Sequence, residues 1–274
     1  GKHVYVAKPI GVDVPGCKMI DASGKAATKK KLCFLVDFQT RANEHFIGAI
    51  RRVHAGAIGQ FIFGKAIAHC ERLPVKVKPG TPEARLRNWV FDKALSGDII
   101  VEQNIHTLDV MSWIMNTTPV SAIGIGGRKV RTDVGDCWDY FTVLYEYPNS
   151  VGITFSSRQF NAQGTKPDGF RNRMFGTAGV LETEYGGLVL IRSKKFYKGE
   201  TGQLYKQGAE NNIRSFYKSI VEGHYDNPTV APSVRSNIVS ILGRDASYQN
   251  RRITWEEIVK NHRKIDGKLE GLKT

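Results

Sequence analysis

The apolar run at residues 32–38, LCFLVDF, most restricts the fold that this chain can adopt. Continuous hydrophobic runs of this length are typical of strands that are covered on both faces, as in parallel sheets. A second apolar segment lies at residues 2–7, and between the two Asp13 and Pro15 mark the start of a predicted helix. The beginning of the chain is therefore predicted to form one strand–helix–strand (βαβ) unit.

A different pattern begins after residue 42. Asn43 can cap a second helix, which reaches Gly56. Short segments of mostly apolar or alternating residues then predict a run of antiparallel strands. They lie at residues 61–68, 120–130, 138–147, 151–155, 173–175, 180–184 and 188–192. The sequence thus predicts an α+β fold with a large open antiparallel sheet that helices cover on one face.

The last part of the chain is predicted to be helical. Amphipathic patterns at residues 211–222 and 232–249 indicate two helices, and Thr254 with Glu257 has the spacing of a capping box. The polar stretch at residues 194–208 predicts a mobile loop before them.

The chain is strongly basic, with 40 Lys and Arg residues against 26 Asp and Glu residues and a formal net charge of +14. Such a charge attracts nucleic acid or anionic surfaces. The basic residues are spread along the chain, without the aromatic residues that alternate with them in single-strand-binding proteins. No apolar run approaches the roughly 18 residues that cross a bilayer. We expect neither nucleic acid nor a membrane as a partner.

The four cysteines lie far apart in the sequence and show no metal-ligand spacing. We therefore expect no metal site and read the cysteines as thiols in a reducing compartment. A cytoplasmic location is the default expectation, and an export signal upstream of Gly1 remains open.

The stretch at residues 97–113, GDIIVEQNIHTLDVMSW, carries the clearest chemical signal. Glu102, His106 and Asp109 fall at i, i+4 and i+7, so the predicted helix presents an imidazole between two carboxylates on one face. Nearby negative charge favours the imidazolium form, so we expect a raised pKa for His106 and a role as proton acceptor. The alternative is an ordinary helix whose charged side chains face water.

Four short motifs occur in a fixed order: residues 1–9 (GKHVYVAKP), 97–113, 176–180 (GTAGV) and 253–256 (ITWE). Together they resemble segments of the glucose-fructose oxidoreductase, inositol dehydrogenase and rhizopine-catabolism (Gfo/Idh/MocA) family of NAD(P)-dependent sugar and polyol oxidoreductases. The matching family segments are GKHV…EKP, a D-x-x-x-H-x-x-D-x-x-x-W helix, a G-T-x-G turn and a closing TW-E. Each match is short, but the set spans nearly the whole chain.

The resemblance implies a two-part protein that begins with a dinucleotide-binding Rossmann domain and its GxGxxG motif. This chain has no such motif, so we expect an N-terminally truncated piece. Residues 1–41 would then be a remnant of the Rossmann domain, its last βαβ part, and residues 42–274 the substrate-binding and oligomerisation domain. The implied cofactor is NAD or NADP, with its main binding motif outside the chain, and a homo-oligomer is expected.

The resemblance also assigns roles to individual residues. Lys8 would be the cation beside the substrate oxygen and, with Pro9, would border the nicotinamide. His106 would be the general base, and Glu102 its neighbour in the pocket. Oxidation of a secondary alcohol requires such a base for the hydroxyl proton, and a nearby lysine can hold the developing negative charge on oxygen.

Further residues are candidates for contact with a sugar or polyol substrate. Arg87 and Trp89 precede the key helix on a predicted loop, and Asp109 lies one turn beyond His106. Gln39 and Arg41 follow the buried strand at its carboxyl end, where ligands of parallel sheets bind. A purely structural role is the alternative for these residues.

Two departures from the family pattern suggest a second function. Ala7 stands where the family usually has Glu, and Glu102 is one methylene longer than the usual Asp. A non-catalytic carbohydrate-binding or assembly protein is therefore the alternative to a sugar or polyol dehydrogenase.

Overall fold

The structure is a computed structural model, and it describes residues 1–161 and 164–270. Its strands are β1 (Val4–Ala7), β2 (Phe34–Asp37), β3 (Phe61–Cys70), β4 (Ser121–Gly127), β5 (Tyr140–Tyr147), β6 (Val151–Gln159), β7 (Gly169–Gly176), β8 (Gly179–Glu184), β9 (Leu188–Ser193), β10 (Tyr197–Glu200) and β11 (Ile253–Thr254). β1 and β2 pair in parallel as a small separate sheet. The other nine strands form one large sheet in the order β10-β9-β8-β7-β3-β6-β5-β4-β11.

The helices are α1 (Val14–Lys29), α2 (Glu44–His54), α3 (Ala84–Arg87), α4 (Lys93–Ser96), α5 (Ile99–Glu102), α6 (Ile105–Met115), α7 (Leu204–Glu222), α8 (Val230–Gln249) and α9 (Trp255–Val259). Their starts follow local chemistry. The Asp13 carboxylate accepts the Gly16 N–H at the start of α1, and the Asn43 side chain accepts two N–H groups at the start of α2. The Thr254 hydroxyl accepts the Glu257 N–H at the start of α9, as its spacing predicts.

The large sheet has one covered face and one open face. Along β5 the side chains of Phe141, Val143 and Tyr145 are buried, whereas those of Thr142 and Leu144 between them are exposed. Helices α2, α6 and α8 cover the buried face, and their apolar side chains join those of the strands in the main core. The predicted α+β class, with helices on one face of a large sheet, is confirmed.

The sheet is not antiparallel throughout. β3 pairs in parallel with β6, from Phe63 opposite Gly152 to Cys70 opposite Gln159, and antiparallel with β7. A parallel pair needs a long crossover, and here the crossover contains α3 to α6 together with β4 and β5. Alternation of side chains defines the faces of a strand but does not identify its partner, so the sequence pattern missed this pair.

The prediction of a loop at residues 194–208 is wrong. This stretch contains β10, and α7 begins at Leu204. Tertiary contacts hold the polar strand: the Tyr197 hydroxyl donates to the His45 carbonyl at 3.3 Å, and the Arg52 guanidinium lies 4.3 Å from the Tyr197 ring centre. As an edge strand, β10 carries Lys198 and Glu200, charges that discourage further pairing.

The open face of the sheet combines exposed apolar residues with ion pairs. Ile123 and Leu144 are direct cross-strand partners and are 40% and 41% exposed, and Ile125 is 60% exposed. Elsewhere on this face, the aromatic rings of Phe63 and Phe175 stack with centroids 4.5 Å apart, and Arg173 pairs with Glu182. Exposed apolar residues thus occur on the face of the sheet that the helices leave uncovered.

None of the helices in the described ranges combines the length and the apolar character that a membrane span requires. No group of three or more His, Cys, Asp or Glu side chains is arranged to hold a metal ion among residues 1–161 and 164–270.

Candidate active site

Lys8 directly follows β1, beside the carboxyl end of β2. Ala7 pairs with Asp37 in the parallel ladder, and the Lys8 N–H donates to the Asp37 carbonyl at 3.3 Å. The Lys8–Pro9 peptide bond is cis. Lys8 and Pro9 therefore lie at the edge of the small sheet where ligands of parallel sheets bind.

The Lys8 ammonium group connects this edge to the segment between α5 and α6. It donates to the backbone carbonyl of Glu102 and lies 3.2 Å from one oxygen of the Glu102 carboxylate. In an uninterrupted helix the Glu102 carbonyl would accept the N–H of His106, but that N–H instead bonds to the Gln103 carbonyl at 3.4 Å. The helix is consequently broken at residues 103–104.

The prediction of one helix through residues 102–113 is therefore wrong. Glu102 ends α5, and His106 belongs to the first turn of α6. The two side chains do not share one continuous helical face. Lys8, which comes 94 positions earlier in the chain, supplies the contact that accompanies the break.

The His106 ring is enclosed by aromatic side chains from the sheet. Its centroid lies 5.5 Å from that of Phe170 and 5.2 Å from that of Tyr185. Its Nδ1 atom is buried and has no hydrogen-bond partner. The imidazole thus lies in a mainly apolar environment that disfavours positive charge.

The expectation of a raised pKa for His106 is wrong. Burial, and after it the positive charge of Lys8, lowers the pKa of His106 well below its ordinary value of 6.5. The two acids that were expected to raise it are each paired with a cation, Glu102 with Lys8 and Asp109 with Arg41. At neutral pH the imidazole is uncharged and can accept a proton.

Arg41 and Asp109 form a buried ion pair. The guanidinium donates from both Nε and Nη2 to the carboxylate at 2.8–3.0 Å, and the Asp109 side chain is fully buried. Arg41 also lies 5.0 Å from the Trp113 ring centre. The two residues are brought together, and their charges compensate each other, so the pair fixes the loop after β2 against α6.

The other predicted substrate contacts are dispersed. Gln39 is buried, and its Oε1 accepts the Tyr185 hydroxyl at 3.4 Å, so it lies near the His106 enclosure. Arg87 and Trp89 are exposed and, among the described residues, share no hydrogen bond or ring contact with the Lys8–Glu102–His106 group. Their contact with a substrate stays a prediction.

Four residues around His106 were not found from the sequence: Thr40, Phe170, Asn172 and Tyr185. Thr40 follows β2, Phe170 and Asn172 lie on β7, and Tyr185 directly follows β8, and all four are more than 60 positions from His106. The sequence carried one signal for Asn172. It lies two positions from Met174, on the same buried side of β7, and a polar side chain buried there requires a hydrogen-bond partner or a function. The aromatic residues carried no comparable signal.

Comparison with known proteins gives three findings. A family model described as the GFO/IDH/MocA C-terminal domain matches residues 46–182. Inositol 2-dehydrogenase of Rhizobium meliloti (strain 1021) is 24% identical over 260 residues, which cover 91% of this chain and 71% of that protein. Among solved structures, an oxidoreductase domain protein from Kribbella flavida has a TM-score of 0.76 at 16% identity, covering 93% of this chain and 74% of that one.

A second solved structure with a similar fold is that of levoglucosan dehydrogenase in complex with NADH and levoglucosan. Its TM-score is 0.70 at 16% identity, and the match covers 92% of this chain and 73% of that one. At such low identity these structural matches establish a shared fold. The relatives include dehydrogenases of a polyol and of a sugar derivative.

The Arg41–Asp109 pair predicts a large stability difference. Replacing Arg41 by Met should lower the free energy of unfolding by about 3–5 kcal/mol, because it leaves a buried carboxylate without a counter-charge. The double variant Arg41→Met/Asp109→Leu should recover most of that loss. Urea unfolding measures both values.

A matched control is Arg171→Met, which breaks an exposed Arg171–Glu184 pair of the same length, 2.8 Å. Its cost should stay below about 1 kcal/mol. Equal losses of unfolding free energy for Arg41→Met and Arg171→Met would contradict the prediction that burial makes the loss of the Arg41–Asp109 pair costly.

The lowered pKa of His106 predicts acid sensitivity. Between pH 6.5 and the lower folded-state pKa, the unfolded chain binds a proton at this position and the folded chain does not. The contribution of the neutral imidazole to the free energy of unfolding is therefore fully present above pH 6.5. It is lost as the pH falls below 6.5, by up to about 1.4 kcal/mol per pH unit. Urea unfolding at pH 7.5 and at lower pH should show a steeper loss for the native chain than for His106→Asn. Parallel losses in the two proteins would refute the assignment.

Proposed function

We propose a function from one premise: the chain belongs to the GFO/IDH/MocA family, whose C-terminal domain model its residues 46–182 match. It forms the substrate side of an oxidoreductase that uses NAD or NADP to oxidise a hydroxyl group of a sugar or polyol. His106 is its general base, and Lys8 and Glu102 complete the catalytic group.

The observation that carries this proposal is the placement of an uncharged imidazole close to a lysine ammonium group. Glu102, four positions before His106, holds the Lys8 ammonium group, and the charge of Lys8 adds to burial in lowering the pKa of the imidazole. The Glu102 carboxylate and carbonyl hold the ammonium group, which is largely buried at 13% side-chain exposure. A base and a fixed positive charge next to each other are what removal of a hydroxyl proton requires.

The proposed chemistry follows from these two groups. The substrate hydroxyl donates its proton to the neutral His106 ring, and the Lys8 ammonium stabilises the negative charge that develops on the same oxygen. The carbon of that C–O bond loses its hydrogen as a hydride, and the C–O bond becomes a carbonyl. When bound, NAD or NADP supplies the hydride acceptor.

The residues at the edge of the small sheet fit one end of such a cofactor. Lys8 and Pro9 lie where β1 ends, next to the end of β2, and a cation there can border the nicotinamide. The sequence has no GxGxxG motif for the diphosphate, since Gly124, Gly126 and Gly127 belong to β4. We assign residues 1–41 to the dinucleotide-binding part and residues 42–274 to the substrate-binding and oligomerisation part.

The open face of the sheet is proposed to pair with a second copy of the chain. Ile123, Ile125 and Leu144 form an exposed apolar cluster on β4 and β5, and exposed clusters of this kind are typical of association surfaces. The functional unit is accordingly a homo-oligomer.

Substitution of the base tests the proposed reaction. In the protein encoded by the complete reading frame, assayed for NADH or NADPH formation with a panel of sugars and polyols, His106→Ala should lower turnover by about 100-fold or more. The exposed His262 supplies the control, because His262→Ala should leave turnover unchanged. Near-normal turnover of His106→Ala would remove the assignment.

Calorimetry with NAD and NADP separates this function from its alternative. Binding of a sugar or polyol by a protein that binds neither cofactor would support the non-catalytic carbohydrate-binding function.

The oligomer proposal is tested by light scattering. Ile125→Asp places a charge in the proposed interface and should shift the mass at micromolar concentration toward that of one chain. Tyr205→Asp, at an exposed position on α7, should leave the mass unchanged. A single-chain mass for the unmodified protein would refute the proposal.

A further inference from the structure

His106 lines a small cavity, and three of the lining residues carry polar atoms without a hydrogen-bond partner. Its lining includes Thr40, His106 and Asn172. The hydroxyl oxygen of Thr40, the Nδ1 atom of His106 and the Oδ1 atom of Asn172 are all buried and make no hydrogen bond. Three unpartnered polar atoms around one cavity are unusual, since buried polar groups are nearly always hydrogen-bonded.

The chemistry of the three atoms defines what can satisfy them. The Asn172 Nδ2 donates to the Thr107 carbonyl at 3.3 Å, which orients the amide so that Oδ1 is left as an acceptor. The Thr40 hydroxyl can donate and accept, and Nδ1 of a neutral imidazole does one or the other according to its tautomer. A single molecule that both donates and accepts hydrogen bonds can therefore serve all three.

The size and lining of the cavity select that molecule. The space is large enough for one water molecule, and the remaining wall includes Phe46, Val110 and Phe170. An ordered water needs two to four polar partners, and this cavity provides three. A sugar ring cannot enter a space of that size.

We propose that one water molecule binds between Thr40, Asn172 and His106, and that it holds His106 in the tautomer that carries its proton on Nδ1. This inference rests on the proposed function in one respect, namely that His106 accepts the substrate proton. Because Nδ1 is buried, that proton must reach the ring at Nε2. For Nε2 to accept a proton, the neutral ring must carry its hydrogen on Nδ1, and the water accepts that hydrogen bond. Thr40 and Asn172 are thus positioning residues that act on the base through the water.

The proposed water also stabilises the protonated form of the His106 ring. When Nε2 takes the substrate proton, the Nδ1–H bond to the water becomes charge-assisted and therefore stronger. Among the described residues, the other titratable or charged groups on the elements around the ring are Lys8 at the end of β1, Glu102 on α5 and Tyr185 after β8. The Arg41–Asp109 pair lies one turn along α6. The water is thus the proposed partner of the ring on its enclosed side.

The first test needs neither a variant nor an assay of activity. In the full protein labelled with 15N-histidine, the neutral His106 ring should show the nitrogen shifts of the Nδ1–H tautomer, and a high-resolution crystal structure should show one water within hydrogen-bond distance of all three atoms. An Nε2–H tautomer or an empty cavity would overturn the proposal, whatever the activity of the protein.

The second test uses paired substitutions. Thr40→Val and Asn172→Leu should each reduce the tautomer preference and lower kcat by about tenfold, with little change in KM. Asn172→Asp should move the acidic limb of the kcat profile to higher pH, because a carboxylate near the imidazole favours its protonated form. A structural defect alone would not produce that shift.

Thr107→Val is the matched control for these substitutions. Thr107 also lines the cavity and directly follows His106, but its hydroxyl donates to the Ile67 carbonyl at 3.0 Å. The substitution Thr107→Val should therefore leave the His106 tautomer unchanged. If the Nδ1–H tautomer is found and His106→Ala remains active, the proposed function fails and the bound water stands.

Discussion

The bond from the Lys8 ammonium to the Glu102 carbonyl is the interaction on which the site depends. That carbonyl would otherwise belong to the hydrogen-bond ladder of a helix running through His106. Here Lys8 donates to it, α5 ends at Glu102, and α6 begins at Ile105 with the imidazole in its first turn. The contact thereby joins the end of β1 to the segment that carries the His106 ring.

Burial, and after it the positive charge of Lys8, leaves the imidazole neutral. Lys8 pairs with Glu102 and Arg41 pairs with Asp109. Each carboxylate is therefore matched by a cation and does not stabilise the protonated form of His106. Phe170 and Tyr185 keep the ring in an apolar enclosure. A basic chain therefore contains an active-site candidate whose central group is uncharged at neutral pH.

Local chemistry made much of the fold predictable, whereas the details of the site depend on distant partners. The caps at Asp13 and Asn43, and the alternation along β5, are encoded within a few residues of where they act. The helix break before His106 is not, because the interacting lysine lies 94 positions away. The sign of the His106 pKa shift likewise required knowledge of which cations pair with the neighbouring acids. Spacing along a sequence does not contain that information.

The position of β3 has a consequence for how the protein folds as it is made. Both neighbours of β3 in the sheet, β6 and β7, follow it in the chain, and the nearer one begins only at Val151. At roughly 5–20 residues per second on the ribosome, the strand waits on the order of ten seconds for its first partner. During that interval Ile62 and Phe63 lie on a strand without neighbours, a state prone to aggregation. The central strand of the finished sheet is thus among the strands that must wait for partners made later in the chain.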